Sequence, residues 1–288
     1  RCSVPMTYHS ANERLMCHYC GHSEAVVDRC SECGGLMKRV GSGTQKVEQE
    51  LFDLFPKAKV LRMDADTVGA SRGHEALLRE FEEKKIPILL GTQMVAKGLD
   101  FENVTLVGVL DADLSLYAQN YHAAERTYSL LAQVVGRAGR GERPGRAVIQ
   151  TYHPENEVIQ AAAKQDYETF YQNELRMRSL RRYPPFADLF TLTVSGLDEL
   201  RVIAAARALC DALRYACSQP PLKDLEAEVL GPAGAPVVKV NNRYRYCVYL
   251  CGKGGSVLRR TVSEYLLAFY ARKENRGLDI FADCNALQ

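Results

Sequence analysis

The stretch IPILLGTQMVAKGLDF, residues 86–101, joins a near-continuous apolar run to a polar loop. An apolar run without alternation reads as a strand buried on both faces, which is what a parallel sheet requires. Open α/β sheets bind ligands beyond the carboxyl ends of their strands, so the loop falls where a site is expected. Thr92 and Gln93 can reach a phosphate or a sugar, Lys97 supplies charge, and Asp100 can accept from a ribose hydroxyl. Working outward, Val60–Met63, Val104–Leu110 and Ala147–Thr151 read as further strands. Glu48–Phe55, Glu75–Lys84 and Ala123–Val135 read as helices between them. Strands alternating with helices imply a parallel sheet covered on both faces.

The pattern divides the chain in three. Residues 1–37 are rich in cysteine and turns, 38–183 hold the strand–helix alternation, and 184–288 follow the Pro184-Pro185 break. A helical stretch over 156–182 closes the middle zone. The last zone reads as a smaller α/β unit. Its strands are expected at Leu189–Val194, Glu228–Leu230 and Leu278–Ala282, its helices at Glu199–Ala216 and Val257–Ala271. A hairpin turn is expected at Asn241-Asn242, a pair that tolerates left-handed backbone.

A second motif, QVVGRAGR at 133–140, follows the helix at Ala123. Arg137 and Arg140 stand three apart among glycines, which suits a phosphate clamp: guanidinium forks bind phosphate oxygens bidentately and stay charged. Yet no loop in the 288 residues reads as the cradle for the remainder of a nucleotide. The stretch from Gly41 to Lys46 lacks the Gly-Lys-Ser/Thr ending. Asp111 and Asp113, after an apolar run, imitate a magnesium-holding aspartate, and a strand-end carboxylate pair at the surface is equally open.

Net charge is +2, so nucleic-acid contact must come from local clusters. One such cluster lies between Glu228 and Glu264, where Lys239, Arg243, Arg245, Lys253, Arg259 and Arg260 occur without an acidic residue. A solvated face and a phosphate- or peptide-binding face are both open there. No run approaches the ~18 apolar residues of a membrane span, and a cytoplasmic chain is expected. Of ten cysteines, five fall in the first 33 residues. Cys17-x-x-Cys20-Gly21 and Cys30-x-x-Cys33-Gly34 have the knuckle spacing of a tetrahedral Zn²⁺ site, with Cys2 left over. The opening on Arg1 suggests an excised fragment.

With residues 91–101 as motif V and 133–140 as motif VI, the chain resembles the second motor lobe of superfamily 2 helicases. The cysteine array, Tyr183-Pro184-Pro185-Phe186, the string from Arg62 to Thr67, and Arg243-Tyr244-Arg245-Tyr246 narrow the resemblance to the bacterial replication-restart, or primosomal, helicase family. That resemblance implies a RecA-like parallel-sheet lobe 2 with a cysteine-rich zinc-binding insertion, then a smaller α/β carboxy-terminal domain. It implies a 3′→5′ DNA helicase driven by ATP and Mg²⁺. Arg137, Arg140 and Gln133 would be catalytic, Asp100, Gly98 and Gly136 would lie at the nucleotide, and Thr92, Gln93 and Lys97 at DNA.

It also implies two Zn²⁺ ions, one shared by Cys2, Cys17 and Cys20 and one by Cys30 and Cys33, with the remaining ligands upstream. The implied partners are branched and single-stranded DNA, other primosome proteins, and single-strand binding protein, with Arg259 and Arg260 as candidate contacts. The chain alone is expected to lack ATPase activity. The alternatives are a zinc-ribbon binding module without a motor and a different superfamily 2 translocase.

Overall fold

The computed structural model describes residues 6–9, 14–17, 22–30, 33–36, 43–64, 67, 73–96, 104–117, 120–138 and 144–286. Backbone contacts divide the chain into two compact units. One falls within Met37–Ala118 and His122–Tyr171, the other within Arg1–Leu36, Gln119–Tyr121 and Gln172–Gln288. In the cysteine-rich region, β1 (Thr7–His9), β2 (Arg14–Met16) and β3 (Ser23–Ala25) form an antiparallel sheet in that order.

The first unit is built from strand–helix–strand crossovers. Helix α1 (Thr44–Leu54) leads into β4 (Val60–Met63), which pairs in parallel with β5 (Ile88–Gly91) across α2 (Gly73–Glu83). Strand β6 (Leu106–Val109) pairs in parallel with β7 (Arg146–Ile149), with α3 (Asp113–Leu116) and α4 (Ala123–Val135) between them in sequence. The described residues thus form two parallel pairs, one within each crossover, where the sequence suggested a single sheet.

The expected helix over 156–182 is two helices, α5 (Glu157–Lys164) and α6 (Tyr167–Arg181). Asn156 caps α5 by accepting from the Val158 amide at 2.9 Å, and Gln165 ends it in a left-handed conformation at φ 55°. Tyr128 and Leu131 of α4, Ile159 and Ala162 of α5, and Phe170 of α6 share a core. The Tyr128 and Phe170 rings stack at 4.2 Å.

The second unit ends in a β-α-β-β-α-β fold: β8 (Asp188–Gly196), α7 (Glu199–Cys217), β9 (Glu228–Val240), β10 (Arg243–Gly252), α8 (Gly255–Ala271) and β11 (Asp279–Cys284). The strand order is β11-β8-β10-β9 and every pairing is antiparallel, the split β-α-β topology of ferredoxin-like folds. Period two decides the sheet's inner face: Phe190, Leu192 and Val194 of β8 and Val248 and Leu250 of β10 are all buried in the core. Helix α7 meets them with Val202, Ala206, Leu209, Cys210 and Leu213, a stripe at helical spacing. Asp198 caps α7 through the Arg201 amide at 3.1 Å.

Strand β9 runs far beyond the expected end at Leu230. It is an edge strand with two register shifts against β10, so it can carry Gly231-Pro232 and Pro236. The Asn241-Asn242 turn forms as expected, with φ of 50° and 63°, the two left-handed residues of a type I′ hairpin. Among the described residues no helix is long and apolar enough to cross a membrane.

Candidate nucleotide and nucleic-acid site

The carboxyl end of β5 is shaped by one glycine. A Cβ on Gly91 would lie 2.1 Å from Val95 Cγ2 and 2.6 Å from the Met63 carbonyl oxygen. Only a residue without a side chain lets the chain leave β5 beside β4 and wind at once into the 3-10 turn Gln93–Ala96. Thr92 and Gln93 are exposed at this strand end. Helix α4 packs against the same turn, so the structure brings the start of the first motif and the helix carrying the second together in one unit. Lys97, Gly98 and Asp100 lie outside the described residues.

The end of α4 is closed less tightly. The Gly136 amide donates to the Ala132 carbonyl at 2.9 Å and the Arg137 amide to the Val134 carbonyl at 3.1 Å, tightening the last turn. A Cβ on Gly136 would lie 2.8 Å from Gln165 Nε2 and 3.2 Å from the Ala132 oxygen. Gln165 was not singled out in the sequence. Its only local cue is its place between two helices, while its contact with Gly136 is tertiary. Gln133 is exposed and Arg137 half-buried; Arg140 lies outside the described residues.

Two carboxylates near these strand ends have structural partners. Asp64, at the end of β4, accepts from Thr44 Oγ1 at 2.6 Å and the Thr67 amide at 2.9 Å, and pairs with Arg62 at 3.0 Å. Arg62 also pairs with Glu48 at 2.8 Å, tying α1 to β4. Burial pushes the Asp64 carboxyl up, but Thr44, Thr67 and Arg62 outweigh it and hold it below the usual range. Asp113 accepts from Thr151 Oγ1 and the Tyr152 amide, both at 2.9 Å, fastening α3 to the residues after β7. The Tyr152 amide leads in holding its carboxyl down, against burial and with help from Thr151. Asp113 is thus a buried carboxylate that joins elements, and not one of a pair at the surface as the sequence suggested.

The basic window of the second unit is largely engaged within the fold. Arg243 pairs with Asp279, Arg245 donates twice to the Val237 carbonyl at 3.1 and 2.9 Å, and Lys239 Nζ stands 4.4 Å from the centre of the Tyr244 ring. Arg259 lies against Cys284. Arg260 is exposed on α8 and pairs with Glu264 at 3.2 Å, a contact worth about 0.3–0.5 kcal/mol. A solvated basic strand face is therefore not what β10 presents.

In the cysteine-rich region, the Cys30 amide donates to the Gly35 carbonyl at 2.8 Å and the Gly34 amide to the Cys30 carbonyl at 3.0 Å. Gly34 adopts φ 68°, a left-handed turn just after Cys33 that glycine takes without strain. The Cys17 amide donates to the His22 carbonyl at 2.8 Å, and Cys17 is buried. These tight turns and thiol donors fit Zn²⁺ chemistry. Cys2 and Cys20 lie outside the described residues, and the described residues alone hold no cluster of three or more metal-ligating side chains.

Residues 1–24 match the PriA DNA helicase Cys-rich region domain, 38–142 the helicase conserved C-terminal domain, and 179–285 the primosomal protein N C-terminal domain. Replication restart protein PriA of Bacillus subtilis is 43% identical over 285 residues, which is 99% of this chain and 35% of that protein. The proteins of the same name from Synechocystis and Treponema pallidum are 41% and 36% identical over 250 and 273 residues. Those matches cover 85% and 94% of this chain, and 29% and 40% of the respective relatives. The chain thus spans about a third of the length of these relatives.

The Asp64 network makes a pH-dependent prediction. Its carboxyl is depressed in the fold, so its stabilisation is full above the unfolded pKa and is lost as pH falls through the folded one. Asp64→Ala should lower unfolding free energy at pH 7 by roughly 1–3 kcal/mol, because Arg62 and Thr44 lose a buried partner. In thermal melts, the gap between wild type and Asp64→Asn should hold at neutral pH and close as pH drops below the carboxylate range. A gap independent of pH would contradict the assignment.

Proposed function

The chain belongs to the PriA replication-restart helicase family, as the counterpart of its carboxy-terminal region, and from that premise we propose that it supplies the second motor lobe of an ATP-dependent 3′→5′ DNA helicase. Its work would be to open stalled or branched replication forks and start primosome reassembly. In this reading residues 38–183 are a RecA-like lobe, 1–37 a zinc module inserted in the motor, and 184–288 a DNA- and partner-binding domain. The observation that carries it is the packing of α4, which ends in Gly136-Arg137, against the 3-10 turn after β5. That contact puts Gln93–Ala96 of the first motif beside the helix that carries Gln133 of the second.

The mechanism follows from that placement. Mg²⁺-bound ATP would sit on the other lobe, and this lobe would close over it. Water attacks the γ-phosphorus, the bond to the β-phosphate oxygen breaks, and negative charge spreads over the transferring phosphoryl group. Arg137 and Arg140 would stabilise that charge as arginine fingers, an effect on the order of 10³–10⁵ in rate. Gln133 would orient the water or sense the γ-phosphate, and Gly98, Asp100 and Gly136 would border the nucleotide. Thr92, Gln93 and Lys97 would hold the DNA backbone, so that closure and opening of the lobe move the strand. The tight last turn of α4, closed by the Gly136 and Arg137 amides, supports this role by setting where the chain leaves the helix.

The thiols of Cys2, Cys17, Cys20, Cys30 and Cys33 would hold Zn²⁺, a structural ion that folds the module. Arg259 and Arg260 on α8 are candidate contacts for the acidic tail of single-strand binding protein. A cytoplasmic location accords with this work on DNA.

In the full-length protein, Arg137→Ala should lower DNA-stimulated ATPase by at least about 10³-fold while forked-DNA affinity, read by anisotropy, stays within about twofold. Turnover near wild type would sink the finger role. The 288 residues alone should hydrolyse no ATP above background, and measurable turnover would falsify the division of the site between lobes. Cys30→Ser in the full-length protein should lower zinc content by about one ion per chain, read by elemental analysis. An unchanged content would remove Cys30 from the ligand set.

A further inference from the structure

An open sheet has two edges, and each presents backbone amides and carbonyls with which another strand can pair. In the carboxy-terminal sheet those edges are β9 and β11. Strand β9 is unsuited to pairing. It carries Pro232 and Pro236 and breaks register twice against β10, and Arg245 takes up its Val237 carbonyl at 2.9 and 3.1 Å. Strand β11 has none of these features: its six residues hold one register against β8 and include no proline. Its edge is met instead by a side chain of α8. The Tyr270 hydroxyl donates to the Ile280 carbonyl at 3.0 Å and accepts from the Ile280 amide at 3.2 Å. Both polar groups of Ile280 therefore point away from β8, which bonds the alternate residues of β11. The Asn285 amide, donating to the Leu189 carbonyl at 2.8 Å, fixes the same alternation from the far end. By that alternation Ala282 and Cys284 turn their backbone groups to the same side as Ile280.

We propose that Tyr270 is a latch on the edge of β11, which keeps that edge from pairing with β11 of a second copy of this chain. The occupant follows from the strand itself. Every pairing in this sheet is antiparallel, and antiparallel pairing of two identical edges closes on a two-fold axis. Centred on Ala282, such a pairing sets Ile280 opposite Cys284 of the second copy, so the outward backbone groups all find partners. It also sets Asp283 opposite Phe281, so no like charges face each other directly. The Tyr270 hydroxyl stands 3.0 Å from the Ile280 carbonyl, inside the ~4.8 Å at which a further strand would lie. Hydroxyl and second strand exclude each other. Tyrosine suits the task, because its one oxygen can donate and accept at once. At 57% exposure, Tyr270 contributes little to the core, and removing it opens the edge without emptying a buried site. The latch acts within the carboxy-terminal domain and is independent of how the motor works.

The test compares full-length wild type with Tyr270→Ala, Ala282→Pro and the double variant, by sedimentation over a concentration series. Ala282→Pro alone should keep the wild-type mass, because the amide it removes faces away from β8. Tyr270→Ala should associate reversibly and approach twice the wild-type mass as concentration rises. Adding Ala282→Pro should return Tyr270→Ala to the wild-type mass, since the amide at the centre of the pairing is gone. Wild-type mass in Tyr270→Ala at every concentration overturns the proposal. Association that survives Ala282→Pro also overturns it, because unfolding or another surface then makes the contact. So does a wild type that Ala282→Pro dissociates, for the edge would then be open despite the hydroxyl.

Discussion

Gln165 lies over Gly136, its Nε2 2.8 Å from where a Cβ would stand, so a side chain at 136 would have to push that amide aside and press on the Ala132 carbonyl at 3.2 Å. Gln165 reaches this position because α5 stops in a left-handed residue and α6 starts two residues later. Helix α5 in turn is held by Ile159 and Ala162 against Tyr128 and Leu131 of α4. Burial of these groups is what fixes the helix axis, at about 25 cal/mol per Å² of apolar surface removed from water. The glycine at 136 therefore serves tight packing at the end of a helix. Its φ of −68° is open to any residue.

Charge in this chain is mostly used to fasten elements together. Arg62, Glu48, Asp64 and Thr44 join α1 to β4, Asp113 joins α3 to the residues after β7, and Arg243 joins β10 to β11 through Asp279. Asp64 and Asp113 are poor candidates for ligand binding, since recruiting either would leave partners unpaired in a poorly solvated place. Arg137 stands half-buried just after the turn that closes α4.

Where side-chain period alone carries the information, the sequence was legible. The strand at Val60–Met63 and the helix at Ala123–Val135 form over the residues expected, and the helix at Glu199 runs one residue further. The Asn241-Asn242 turn was legible because few residues take left-handed backbone twice in succession. Legibility failed where a partner far in sequence overrides local chemistry. Gly231-Pro232 reads as a strand end, yet β9 continues, because an edge strand needs its hydrogen bonds on one side only. Arg243 and Arg245 read as a basic face, yet their donors turn to Asp279 and Val237. Of the two motifs, Lys97, Asp100 and Arg140 lie outside the described residues.

By itself the sequence determined the two α/β units, the cysteine knuckles and the two polar motifs, because each rests on spacing within a few residues. Only the tertiary structure decided that α4 packs beside the turn after β5 and that Gln165 lies over Gly136, 29 positions away. No local pattern encodes those contacts, since close packing selects partners by shape and by unmet hydrogen bonds once the elements have met.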